Sequence, residues 1–167
     1  GAALAIYHTA KPECKKVTGG VMMSVALTAF LTGITEPLEY AFAYVAFPLY
    51  LVHALLTGSS LALCNALGIK DGFGFSAGLT DYIINFGRAT ELSGGPGKVL
   101  LLILIGVVYA VIYYVVFRFA ITKWNLRTPG REDEGDDAAG GASVFDEAQL
   151  AASQSTGKAD AQKEGRD

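Results

Sequence analysis

The chain has 167 residues, 51% of them hydrophobic and only 17% charged, and its mean hydropathy is positive. Its formal net charge of −3 is unevenly placed: residues 1–127 hold nine Lys/Arg against six Asp/Glu, and residues 128–167 hold four against ten. Neither part carries the dense basic stripe with interleaved aromatics of a nucleic-acid binder, so nucleic acid is excluded as a partner. Two cysteines, Cys14 and Cys64, have the spacing of neither a zinc site nor a disulfide framework, and no metal or other cofactor is expected.

Residues 1–16 read as the end of an apolar segment followed by a charged loop, whose Lys11, Lys15 and Lys16 favour the cytoplasmic side. No charged leader or initiator Met precedes Gly1, which reads as a piece of a longer protein without a signal peptide. Val17–Thr35, Tyr40–Gly68 and Val99–Phe117 contain no acidic or permanently basic side chain. The first and last are close to the ~20 residues that cross a ~30 Å hydrocarbon layer. The last is apolar on every face, which suits lipid and not water. The middle run of 29 residues would form a helix of roughly 44 Å, longer than one crossing needs. Pro48 supplies a break, because a proline inside a helix removes a backbone donor and clashes with the preceding turn.

These features predict a re-entrant hairpin over 17–47: a half-helix Val17–Leu31, a tip at Gly33–Pro37 and a return over Leu38–Phe47. A span over 49–68 leads outward, Ile69–Gly97 forms an outer connection rich in glycine, and a span over 98–120 returns. A single kinked helix over 38–68 is the alternative. Arg118, Lys123, Trp124 and Arg127 place the last end at the cytoplasmic interface. Residues 128–167 are rich in Ala, Gly, Ser, Asp and Glu and lack the apolar surface to offset chain entropy, so they are expected to be a disordered cytoplasmic tail. The expected fold class is therefore an all-α integral membrane domain over 1–127, with transmembrane helices and a re-entrant helical hairpin.

Glu36 is the residue that most demands an explanation, because a carboxyl at bilayer depth is costly and usually lines a polar path. It lies in Gly33-Ile34-Thr35-Glu36-Pro37, where glycine frees the backbone and exposed helix ends offer unpaired groups to a polar solute. A carboxylate there can accept hydroxyl protons in hydrogen bonds or act as general base; the bland alternative is a packing pair with a neighbouring helix. Glu39 is expected to face the interface, since it shares a face with Glu36 only if the helix begins before Pro37. His53 reads equally as a ligand or as a neutral histidine bonded to nearby backbone. Asp81, Asn85 and Arg88 form either a polar cluster or a solvated loop.

The stretch Gly33-Ile34-Thr35-Glu36-Pro37-Leu38-Glu39 resembles enzyme IIC, the membrane component of the glucose and N-acetylglucosamine branch of bacterial phosphotransferase systems. The resemblance continues through Leu51–Gly58, Phe73–Tyr82 and the linker Leu126–Asp133, covering about residues 5–133. It implies a homodimeric multi-pass protein of the bacterial inner membrane, in contact with lipid and with its C-terminus cytoplasmic. Sugar would enter from outside and be phosphorylated at O6 by a phosphocysteine of enzyme IIB. Glu36 would bind the sugar, with Gly33, Ile34, Thr35 and Pro37 around it and His53, Asp81 and Asn85 as further candidates. Phe75-Ser76-Ala77-Gly78 favours N-acetylglucosamine over glucose. No enzyme IIB signature follows Asp133, so the phosphoryl donor is expected on another chain and this polypeptide alone should not turn over. A carrier without phosphorylation and a membrane anchor or sensor subunit are the alternative functions.

Overall fold

The computed structural model describes residues 1–131, and within them the secondary structure is helical without strands. In chain order the helices are α1 (Ala2–Thr9), α2 (Lys15–Thr32), α3 (Glu36–Ala43), α4 (Phe47–Ala66), α5 (Leu79–Ser93) and α6 (Pro96–Lys123). α4 and α6 are long and apolar enough to cross a membrane. Their apolar side chains face outward: Leu51, Leu55 and Leu61 on α4 and Leu104, Val107, Val111 and Val115 on α6 are exposed. A soluble core helix of this composition would bury those side chains against its own chain; here they are left for lipid or for other protein.

The proline rules explain the breaks. Pro37, Pro48 and Pro96 each sit in the first turn of α3, α4 and α6, where a missing N–H costs nothing. The run 38–68 is thus two helices separated at Tyr44–Ala46, and not one kinked rod. The spans expected at 49–68 and 98–120 start two residues earlier, at Phe47 and Pro96, and end at Ala66 and Lys123.

α6 is the spine. α1 lies along it with Ala5 and Ile6 fully buried, and α4 and α5 pack on it too. Phe42 of α3 reaches α6, where its ring meets Phe117 edge-on at 5.3 Å. Hydroxyl pairs join α4 to α6: Thr57 to Tyr113 at 3.0 Å and Ser59 to Tyr109 at 2.9 Å. Such interhelical bonds are a common adhesive where apolar burial gives no driving force between helices.

One expectation changes. The tail was expected to begin at 128, but Thr128, Pro129 and Gly130 are buried, the Lys11 N–H donates to Gly130 O at 2.8 Å, and Arg131 donates to Thr9 O at 3.0 Å. The linker is held because Gly130, at φ +81°, brings its backbone against Thr18 and Ala10, an approach that a side chain would block. The rest of the expected tail, 132–167, lies outside the described residues. The connection 69–97, expected as a tight outer-side structure and not another full span, contains the 15-residue helix α5.

Candidate functional site

α2 ends by the ordinary device of a left-handed glycine: Gly33 has φ +82° and its N–H donates to Ala29 O at 2.8 Å. The chain then turns through Ile34 and Thr35 into α3, whose first turn holds Glu36 and Glu39. The backbone N–H groups of Leu38 and Glu39 each donate to Thr35 O at 3.0 Å, so the short helix is started by backbone and by Pro37. A carboxylate on such a first turn meets the positive end of the helix dipole. Glu36 is exposed, and among the described residues its carboxylate has no bonded partner.

The connection before α5 comes up against this turn. A side chain on Gly33 would strike the backbone of Ala77 at 2.7 Å and Gly78 N at 2.5 Å, and one on Gly78 would strike Gly33 and Thr32. Thr80 Oγ1 donates to Leu31 O at 2.8 Å, capping an open carbonyl in the last turn of α2 from the start of α5. Two turns 45 residues apart, at 33 and 78, thereby share one contact that only glycine pairs allow.

Asp81 fixes the shape of that second turn. Its carboxylate, on the buried first turn of α5, accepts the N–H groups of Gly74 at 3.2 Å, Phe75 at 3.1 Å and Ser76 at 2.7 Å. Those bonds, Ser76's foremost, hold the Asp81 carboxyl below the usual range against the opposing effect of burial. Burial pushes the Asp71 carboxyl up, and the charge of Asp81 adds to it. Asn85 donates to Asp81 O at 3.0 Å, so its amide is also engaged. Arg88 forms no ion pair with Asp81 among the described residues; with Phe73 and Asn85 it lines a cavity of about 230 Å³ on α5. Asp81 therefore shapes the loop with its whole carboxylate, whereas Asn85 is tied by one amide hydrogen and also lines the cavity.

Glu39 departs furthest from expectation. α3 begins at Glu36, ahead of Pro37, so the helix does bring Glu39 one turn along, and its carboxylate turns inward to α4 instead of facing the interface. Its Oε1 accepts from Thr35 Oγ1 at 2.6 Å and lies 3.3 Å from His53 Nε2. His53 Nδ1 is 3.0 Å from Tyr113 OH, which in turn meets Thr57 Oγ1. The rings of Phe42, Tyr50 and Tyr113 surround the imidazole. His53 is thus neither a free ligand nor a residue satisfied by backbone alone. The signal that could have found this set is spacing: His53 and Thr57 lie four apart on α4, as Tyr109 and Tyr113 do on α6.

The structure packs Gly33 against Ala77 and Gly78 of the loop before α5, and it places Glu39 of α3 beside His53 of α4. One comparison with known proteins bears on this arrangement: residues 1–58 match the family model described as Phosphotransferase system, EIIC. The matched stretch runs from α1 through the turn and α3 into α4, and so contains Glu36, Glu39 and His53. The match covers 58 of the 167 residues and makes that stretch similar to the EIIC component of a phosphotransferase system; outside it, α6 is, like α4, long and apolar enough to cross a membrane.

Proposed function

We propose that this chain binds a sugar at the Gly33–Pro37 turn and presents it for phosphorylation during uptake, with N-acetylglucosamine favoured over glucose. The observation that carries the reading is that the matched family stretch contains an open carboxylate, Glu36, at a turn where two helix ends and two backbones converge. In this reading α2 and α3 form a re-entrant hairpin whose tip lies at membrane depth, where irregular backbone is tolerated only if it is covered or lines a watery cavity. Glu36 accepts hydrogen bonds from the sugar and takes or orients the O6 proton as the phosphoryl group arrives. The donor is a phosphocysteine of enzyme IIB; its P–S bond breaks as the new P–O bond forms. The protein works as a homodimer in the bacterial inner membrane, with its C-terminus in the cytoplasm.

Reconstitution in proteoliposomes with phosphorylated enzyme IIB tests this. Sugar phosphate should form only when both proteins are present, and N-acetylglucosamine should compete better than glucose. Sugar flux without phosphate would make the protein a plain carrier, and neither flux nor phosphate would leave an anchor or sensor.

A further inference from the structure

α3 is eight residues long, too short to keep its shape alone in water, so its place is set by what it touches. Its one buried residue is Phe42, near the C-terminal end, seated against Phe117 and His53. Glu36 lies six residues earlier, about 9 Å away along the axis at 1.5 Å per residue. A helix held only at Phe42 would swing at its other end, and that end carries the carboxylate. Glu39, midway between, supplies a side-chain attachment to α4 through His53, in addition to the Gly33 contact that holds the turn before the helix.

The hydrogen bonds of this attachment also have a direction. With Nε2 protonated toward the Glu39 carboxylate, Nδ1 of a neutral imidazole accepts, so the Tyr113 hydroxyl can donate to it or to His53 O at 3.3 Å, and it shares a further hydrogen bond with Thr57. Thr35 donates to the same Glu39 oxygen. The bonded set converges on the Glu39 carboxylate, and α3, α4 and α6 each contribute a member. The titratable groups facing His53 are thus Glu39 from α3, Tyr50 from its own helix and Tyr113 from α6.

We propose that Glu39 and His53 are positioning residues: their pair, extended through Tyr113, ties α3 to both spanning helices and so fixes where Glu36 presents its carboxylate. The proposal rests on the reading of Glu36 as the sugar-binding carboxylate. It assigns the pair no contact with sugar. A small displacement of a reacting group suffices for a large loss, since a misplacement of about 1 Å can cost ~10² in rate. Loosening the pair should therefore slow transfer more than it weakens binding.

A double-mutant cycle between His53→Gln and Glu36→Gln, measured on the protein in proteoliposomes with phosphorylated enzyme IIB, tests it. Each single variant should lower the transfer rate, His53→Gln by about 10- to 100-fold with a smaller change in sugar affinity. In the His53→Gln background, Glu36→Gln should then cost far less than it does alone, because the carboxylate it removes is already out of place. Tyr113→Phe, which keeps the ring and removes only the hydroxyl, replaces His53→Gln if that variant does not fold. Additive losses would show that the pair does not act through Glu36 and would overturn the proposal while leaving the site reading intact. A silent Glu36→Gln would remove the site reading and this proposal with it.

Discussion

Two carboxylates occupy the first turns of helices that meet at one junction, Asp81 on α5 and Glu36 on α3, and they have opposite surroundings. Asp81 is buried and accepts three backbone N–H groups, whereas Glu36 is exposed and unbonded among the described residues. The difference separates shape from chemistry. A carboxylate saturated by its own backbone holds a loop and has little left to offer a ligand, while an open one at a helix N-terminus contributes little to folding and is available for a solute. The glycine contact at 33 and 78 joins the turn that precedes Glu36 to the loop that Asp81 holds.

The contrast can be broken in order of decreasing cost to folding. Gly33→Ala should be the most damaging substitution. It combines a left-handed backbone, about 1–2 kcal/mol for an alanine, with a collision against backbone that cannot move aside, about 1–3 kcal/mol more. A thermal midpoint in detergent close to that of the unsubstituted protein would show that the two turns do not touch in the membrane.

Asp81→Ala should come next, releasing the turn 74–76 and lowering the midpoint less than Gly33→Ala does. The sign of its pH dependence follows from its depressed carboxyl. Its contribution is fully present above the ordinary carboxylate value near ~3.9 and is lost as pH falls through the lower folded value. Acidification should therefore erase the difference between Asp81→Ala and the parent; a difference that persisted unchanged at acid pH would assign the loss to packing.

Tyr113→Phe should cost only about 0.6 kcal/mol, the usual size of an interhelical hydrogen bond in a membrane, although it cuts the chain of hydroxyls behind His53. A much larger loss, read from the same thermal midpoints, would mean that the hydroxyl network holds α4 to α6 and is not mainly a positioning device. Glu36→Gln should cost least of all, within about 0.5 kcal/mol, since an exposed carboxylate with no bonded partner loses only a weak interaction with the helix dipole.

The parts of this arrangement legible in the sequence are those governed by local rules. α6 stands out because Val99–Phe117 is apolar on every face, and the break before α4 follows from Pro48. Gly33 and Pro37 announce the turn because one supplies a positive φ and the other starts a helix. α5 is hidden inside the glycine-rich connection 69–97, and polar residues at 80, 81, 85, 88 and 91 interrupt its hydropathy. Its burial falls on Asp81, Ala89 and Ser93, a narrow stripe of small or polar side chains that apolar periodicity does not detect. The meeting of Gly33 with Gly78 and of Glu39 with His53 depends on how separate helices pack, which spacing within one helix cannot specify. Glu39 was weighed against Glu36 on its own helix, but its partner stands on the next.

The central claim is that Glu36 is spared from folding for work on a sugar, and sugar affinity and phosphorylation rate measured on one folded Glu36→Gln sample test it most directly. A lost hydrogen bond to a charged acceptor, roughly 1.5–3 kcal/mol, should weaken binding by about one to two powers of ten. Transfer should fall by a further ~10² to 10⁴, because the amide cannot take a proton. Loss of binding alone would leave Glu36 a ligand and not a base, and a Glu36→Gln protein that binds and phosphorylates sugar like its parent would contradict the account.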